Sequence, residues 1–187
     1  MNSTPRPRLM TSSLKKIAEF QFLGLDVEIG GPSPDLKEPL ADPLFIAAHK
    51  AYTSGIGSLC EDTRLDVQGA RMGVEARFFL EALPTLAGRR AVFACCLALS
   101  VAGECLVWEA RVEGSICAQR GSDGFGFDPF FEPDGSAGLN LSELAALGRK
   151  HEYSARARVC SAFASQPSTA RFAHAHLAAY DGPWQGG

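Results

Sequence analysis

Residues 91–101 (Ala-Val-Phe-Ala-Cys-Cys-Leu-Ala-Leu-Ser-Val) carry no charge and almost no polarity. A segment this apolar predicts a strand covered on both faces, because a strand with one wet face would alternate. A tight turn near Gly103 follows, and then residues 105–113 do alternate. Leu106, Trp108, Ala110 and Val112 fall on one side, Glu109, Arg111 and Glu113 on the other. Period two marks a half-buried strand, so the pair predicts a long hairpin with one wet side.

Helical patterns surround this hairpin. Residues 11–23 begin with hydroxyl caps and place Leu14, Ile17, Ala18 and Phe22 on an apolar face. Residues 42–54 turn Leu44, Ile46, Ala47 and Ala51 inward. Further helical patterns cover 74–83 and lie near 140–148, 153–165 and 168–180. Short strands are expected at Gly24–Ile29 and Ile56–Cys60, the second ending in Glu61-Asp62-Thr63. Strands mixed with helices predict an α/β fold with a mixed, elongated, twisted sheet and flanking helices. With 187 residues, no internal repeat and no Pro/Ser-rich linker, one domain is expected, with 1–8 and 181–187 flexible.

Composition excludes several classes of partner. The net charge is −3, so no basic surface awaits a nucleic-acid backbone. No apolar run approaches the roughly 20 residues of a membrane span, and Met1–Arg8 lacks the apolar core of a signal peptide. A cytoplasmic location without membrane or nucleic-acid partners is therefore expected. Six cysteines are present, none in a C-x-x-C pair, and most sit inside apolar runs, which predicts free core thiols. His174 and His176 are two apart, so on a helix they face different ways and do not share a metal.

Chemistry concentrates in five places. Residues 121–131, Gly-Ser-Asp-Gly-Phe-Gly-Phe-Asp-Pro-Phe-Phe, bring three glycines together with the ring faces of Phe125 and Phe127 and the carboxylate of Asp128. Glycine lets the backbone approach a ligand closely. Pro129 keeps Asp128 out of the helical region. This suits a flat, polar heterocycle, and it is also the composition of ordinary hairpin punctuation. The helix start at Thr11, Ser12 and Ser13, with Lys16 one turn in, could attract phosphate through free N–H groups and the helix dipole; an ordinary helix cap looks the same. Glu38, with Asp35 and Asp42 near it, and Glu61-Asp62 are oxygen donors of the type Mg²⁺ takes, one or two carboxylates plus phosphates and waters. Turn and capping acids read identically. Lys150, Ser154, Arg156 and Arg158 could serve as a point charge and a planar donor fork, or as a solvated helix face.

Together these segments resemble the inosine triphosphate pyrophosphatase family, from about Leu9 to Phe163 and in the family's order. Thr11-Ser12-Ser13-Leu14-Lys15-Lys16-Ile17-Ala18-Glu19 is similar to its opening Thr-x-Asn-x-x-Lys-x-x-Glu. Glu61-Asp62-Thr63-Arg64-Leu65 resembles its acidic strand end. Gly124-Phe125-Gly126-Phe127-Asp128-Pro129-Phe130-Phe131 resembles its Gly-Phe-Gly-Tyr-Asp-Pro-x-Phe. Lys150 and then Ser154, Ala155 and Arg156 follow its Lys and Ser-His-Arg, with alanine in place of histidine. Ser13 replaces the family's asparagine, and Gly69-Ala70-Arg71-Met72-Gly73 stands where the family has Gly-Gly-x-Pro-Gly.

The resemblance implies an active-site cleft between two lobes and Mg²⁺-dependent hydrolysis of a non-standard purine nucleoside triphosphate to monophosphate and pyrophosphate. It implies that Glu38 and Asp62, with Glu61, hold Mg²⁺, and that Asp62 orients or deprotonates water. Lys16, Thr11, Ser12, Ser13 and Lys150 would meet phosphate. Phe125 or Phe127 would stack on the base beside Gly126, Asp128 would accept from its N–H edge, and Arg156, next to Ser154, would donate to a carbonyl. The family is typically a homodimer, and 66–83, with Val74, Phe78, Phe79 and Leu83, offers either a partner surface or further core.

Overall fold

The computed structural model describes residues 5–32, 37–70 and 80–185. Its strands are β1 (Arg8–Met10), β2 (Glu28–Gly31), β3 (Ser58–Val67), β4 (Arg90–Val101), β5 (Glu104–Ile116), β6 (Phe131–Pro133) and β7 (Ala170–Ala173). Its helices are α1 (Leu14–Phe22), α2 (Pro43–Ser54), α3 (Leu141–Ala146), α4 (Lys150–Tyr153), α5 (Ala155–Ser165) and α6 (His174–Ala178), with short 3-10 turns at Leu83–Leu86 and Asp128–Phe130. The sheet runs β2-β1-β3-β4-β5-β6, and β7 also pairs with β5. β1 is parallel to both β2 and β3, whereas β6 and β7 are antiparallel to β5. The sheet is mixed, as the pattern of elements predicts.

The hairpin forms as the apolar and alternating runs require. A two-residue turn at Ala102–Gly103 joins β4 to β5, and Gly103 takes a φ of +84°, which side chains disfavour. Residues 94–98 are all buried. The wet side of β5 is confined to its far half, where Arg111 and Glu113 are exposed; nearer the turn Cys105 and Val107 are buried. There Phe45, Ala47, Ala48 and Ala51 of α2, with Leu177, cover that face, and β7 pairs along the edge at Glu104–Val107. Residues 170–173 are thus a strand, not the middle of a 168–180 helix. Alternating Ala-Arg-Phe-Ala satisfies a sheet edge there.

Other expectations shift. α1 starts at its hydroxyl cap, but Leu14, Ala18 and Phe22 are exposed and Phe20 is the buried residue. The face of α1 that turns inward is set by Lys16, Ile17 and Phe20, because the Lys16 ammonium has a buried carboxylate to reach. β2 begins four residues later than Gly24. β3 does not stop at Glu61 but continues through Val67, so the acidic pair lies in mid-strand. Arg8 belongs to β1, and near the C-terminus Pro183 and Gln185 make backbone hydrogen bonds with Leu40 and Glu38. Residues 71–79, most of the helix expected at 74–83, lie outside the described residues.

The chain forms two compact units. The first comprises the chain up to Asp62, Cys96–Glu109 and Val159 onward. Its core joins Phe45, Ala47, Ala48 and Ala51 of α2 to Cys60, Cys96, Ala98, Cys105 and Val107 of the strands and to Leu177. Three alanines on one side of α2 let that helix pack close to the sheet. The second comprises Thr63–Cys95 and Ala110–Arg158, with Leu65, Leu83, Phe93, Ile116, Phe131, Leu141 and Leu144 buried. All six cysteines are buried free thiols. Among the described residues no helix is long and apolar enough to cross a membrane.

Candidate active site

The first unit gathers acids and lysines. Glu61 and Asp62 are consecutive on an extended strand, so their side chains leave on opposite faces. Glu61 is buried and pairs with Lys16 of α1. Asp62 pairs with Lys50 of α2, whose Nζ lies 3.1 Å from Asp62 Oδ1 and 2.9 Å from Glu38 Oε1. One ammonium therefore draws together two carboxylates from a loop and a strand. Burial pushes the Asp62 carboxyl above its ordinary range, and Glu38 and Glu61 add to the rise while Lys50 opposes it. Burial works against the Lys50 charge, yet Asp62 and Glu38 more than offset it and hold the ammonium above its usual range. Each group conditions its neighbour.

Glu38, Asp62 and the phosphates of a nucleotide would make a fitting shell for Mg²⁺. Hard oxygen donors aimed at a position already held by a cation are what such an ion needs, and two protein carboxylates suffice when the substrate brings more oxygens. No cluster of three metal-type side chains occurs among the described residues. Glu61, expected beside Asp62, is directed to Lys16 instead, as strand alternation demands.

The turn before α1 serves largely as a cap. Ser13 is the N-cap and its hydroxyl accepts from the Lys16 N–H at 3.3 Å, while Thr11 Oγ1 accepts from the Ser13 N–H at 3.2 Å. Ser12 is exposed at the centre of this turn.

The second unit builds a different kind of cluster. Asp128, 2% exposed, accepts from the Phe125 N–H at 2.7 Å and from Lys150 Nζ at 2.8 Å. Gly124 has a φ of +81°, and a Cβ there would run into the Asp128 carboxylate. Glycine is thus required at 124 both for backbone conformation and for space. Over the Phe125 ring lie two cations, Lys150 Nζ at 4.8 Å and the Arg156 guanidinium at 5.0 Å from its centre. Both distances suit cation–π attraction. Phe127 packs edge-on against Phe93 at 5.8 Å, and Gly126 is exposed. Ser154 is buried and its hydroxyl accepts from the Arg156 N–H at 3.2 Å. Ala155 is buried, Arg156 is 4% exposed and His151 is exposed. Arg158 donates to the Arg111 carbonyl.

Spacing alone did not reveal three participants. Lys50 stands three residues after Ala47 and one before Ala51, on the inward arc of α2; a lysine among buried alanines was the available signal. Asn140 fastens the glycine loop by donating through Nδ2 to the Arg120 and Pro129 carbonyls at 3.0 and 2.9 Å. Arg120 in turn reaches Glu143 and the Gly138 carbonyl. The Asn140/Glu143 capping box starting α3 was readable as N-x-x-E.

The Ham1 family model matches residues 8–166. The chain belongs to the Ham1 family. The dITP/XTP pyrophosphatase of Pyrobaculum aerophilum is 38% identical over 177 residues, covering 83% of this chain and 92% of that protein. The dITP/XTP pyrophosphatase of Syntrophobacter fumaroxidans is 34% identical over 166 residues, 77% of this chain and 71% of its own. The inosine triphosphate pyrophosphatase of Emericella nidulans is 29% identical over 164 residues, 78% and 90% of the two chains. The Staphylococcus aureus Ham1 protein shares the fold, with a TM-score of 0.62 at 22% identity over 83% of this chain and 94% of that one. The Ham1 match takes in both clusters and ends before β7, α6 and the tail that follows.

Proposed function

We propose that this Ham1 protein hydrolyses non-standard purine nucleoside triphosphates, such as dITP or XTP, to the monophosphate and pyrophosphate. The observation that carries this reading is the convergence of Glu38 and Asp62 on the single Lys50 ammonium. Two acids closed on one lysine suit a triphosphate with its counter-ion, and membership of a family with pyrophosphatases among its relatives supplies the reaction.

Bound between Glu38, Asp62 and the substrate, Mg²⁺ would neutralise phosphate charge and orient the chain of phosphates. Lys16 and Lys50 would add positive charge, and such electrostatic stabilisation is most of what phosphoryl transfer needs. Asp62, its carboxyl raised by burial, takes the proton of the attacking water. The bond that breaks is the α–β anhydride, and pyrophosphate leaves. In the second unit, Phe125 offers the ring for the base, Asp128 the acceptor and Arg156 the donor for a 6-keto group. Lys150, expected on phosphate, is here assigned to holding Asp128, since its ammonium is already 2.8 Å from that carboxylate. The reading includes a homodimer acting on the cytoplasmic nucleotide pool. Of its expected surface, 71–79 lie outside the described residues and Leu83 is buried, so Leu83 is withdrawn from it.

One observation favours a wider base preference than the relatives' names state. Ala155 is buried where the family's histidine would stand, and a lost polar partner changes discrimination more than it changes hydrolysis.

A screen of pyrophosphate release over dITP, XTP, ITP and the standard triphosphates, with and without Mg²⁺, tests both statements. Metal-dependent release from the non-standard purines supports the proposal. Release from standard nucleotides as well supports the wider preference. Nucleotide binding without release would make the chain a non-catalytic relative.

A further inference from the structure

The Ham1 match ends at residue 166, yet the chain continues through β7 and α6 into a tail that returns to the loop carrying Glu38. Pro39 and Trp184 form an antiparallel bridge. The Gln185 N–H donates to the Glu38 carbonyl at 2.8 Å, and the Leu40 N–H donates to the Pro183 carbonyl at 2.8 Å. Gln185 Nε2 donates to the Pro39 carbonyl at 3.1 Å. Both sides of the Glu38–Leu40 backbone are thus held by one short strand-like segment. The segment is anchored in turn. The Tyr180 hydroxyl donates to the Pro183 carbonyl at 2.6 Å, and the Trp184 ring meets Tyr180 edge-on at 5.3 Å and His49 at 5.4 Å. Tyr180 lies against Phe45, 5.3 Å between ring centres. Phe45 and His49 belong to α2, the helix that also supplies Lys50. One clasp therefore fixes both the acid loop and the helix whose ammonium the acids share.

We infer that Tyr180–Gln185 are positioning residues for Glu38: this clasp, outside the Ham1 match, sets the loop carboxylate for the divalent ion. The inference rests on the reading of Glu38 as a metal ligand. Groups that orient a ligand without touching the ion change metal affinity by about 10–100-fold when removed. A loop acid depends on such support more than a strand acid does, because Asp62 is already placed by the sheet.

The test uses the full chain with Gln185→Pro, which deletes the N–H that meets the Glu38 carbonyl. Gln185→Ala keeps that N–H, Trp184→Ala loosens the anchor, and Glu38→Gln tests the underlying reading. Binding of Mn²⁺ alone, followed by its paramagnetic resonance signal, gives a readout independent of turnover. The Mg²⁺ concentration for half-maximal pyrophosphate release from dITP gives the second. Gln185→Pro should weaken both about tenfold, with the rate at saturating Mg²⁺ and the ratio of dITP to dATP turnover unchanged. Gln185→Ala should lose less than the proline variant. If Gln185→Pro fails to fold, Trp184→Ala carries the test, with a metal requirement about tenfold higher. Wild-type metal affinity in the tail variants, alongside weakened Glu38→Gln, overturns the clasp alone. Wild-type metal affinity in Glu38→Gln overturns the metal reading and the clasp with it.

Discussion

The two clusters solve opposite problems. In the first unit, groups from distant points of the chain are brought together by regular structure: Asp62 by β3, Lys50 by α2, Lys16 by α1. Three carboxylates there meet two ammoniums, Glu38 and Asp62 sharing Lys50 while Glu61 pairs with Lys16. In the second unit, Asp128 is anchored by its own neighbourhood, through the Phe125 N–H three residues before it and through Lys150. Its loop is held by Asn140, Arg120 and a glycine whose replacement has no room. Charge in the first cluster is held as ion pairs between distant segments, and in the second as one acceptor fixed by its own loop and Lys150. Removing a group should accordingly cost rate or metal in the first and recognition in the second.

The largest effect expected is on Asp62. Asp62→Asn should lower kcat by about 10²–10⁴-fold, the usual worth of a positioned base, while the thermal midpoint holds or rises, since the carboxyl has two other acids near it. Turnover close to wild type would remove Asp62 from the chemistry. Lys50→Met comes next. It leaves Glu38 and Asp62 facing each other without their cation, costing about 1–3 kcal/mol of stability in a melt without metal. Millimolar Mg²⁺ should recover more of that midpoint than it adds to wild type, because the ion takes the vacated role. An equal Mg²⁺ shift in both proteins would show that the acids do not exchange one cation for another.

On the recognition side, Asp128→Ala should raise KM about tenfold, roughly 1.4 kcal/mol, with a smaller change in kcat. A KM unchanged for every purine would break the contrast between the clusters.

The smallest effect lies away from both. Burial pushes the Cys105 thiol from 9.0 up to about 11. Its raised folded value means the contribution is complete below pH 9 and declines as pH rises toward 11. By pH 10 the loss is about 1 kcal/mol. Cys105→Ala should flatten that part of the stability curve, and an unchanged slope would place the loss elsewhere.

How much of this was legible beforehand follows from how far apart the interacting residues are. The hairpin could be read because an uncharged run and an alternating run are local patterns, and the glycine loop because Gly124 and Asp128 meet four residues apart. The Ser13 cap and the acid pair could be named for the same reason. Lys50 could not, since its partners lie 12 residues away on either side, at Glu38 and Asp62, and join it only through the fold. The inward face of α1 was misjudged because Lys16 seeks Glu61, overriding the apolar stripe of Leu14, Ala18 and Phe22. The continuation of β3 past Glu61 was hidden by charges that a mid-sheet strand seldom carries, here offset by lysines from the two helices. Residues 170–173 looked helical because the alanines within and after them are strong helix formers, and only pairing with β5 makes a strand of them.

The most direct test of the account is a crystal structure with Mg²⁺ and a non-hydrolysable analogue of ITP. The account predicts one Mg²⁺ with a carboxylate oxygen of Glu38 and another of Asp62 each at about 2.0–2.1 Å, and the Lys50 ammonium moved onto phosphate. An ion bound elsewhere, with Glu38 and Asp62 still closed on Lys50, would contradict it.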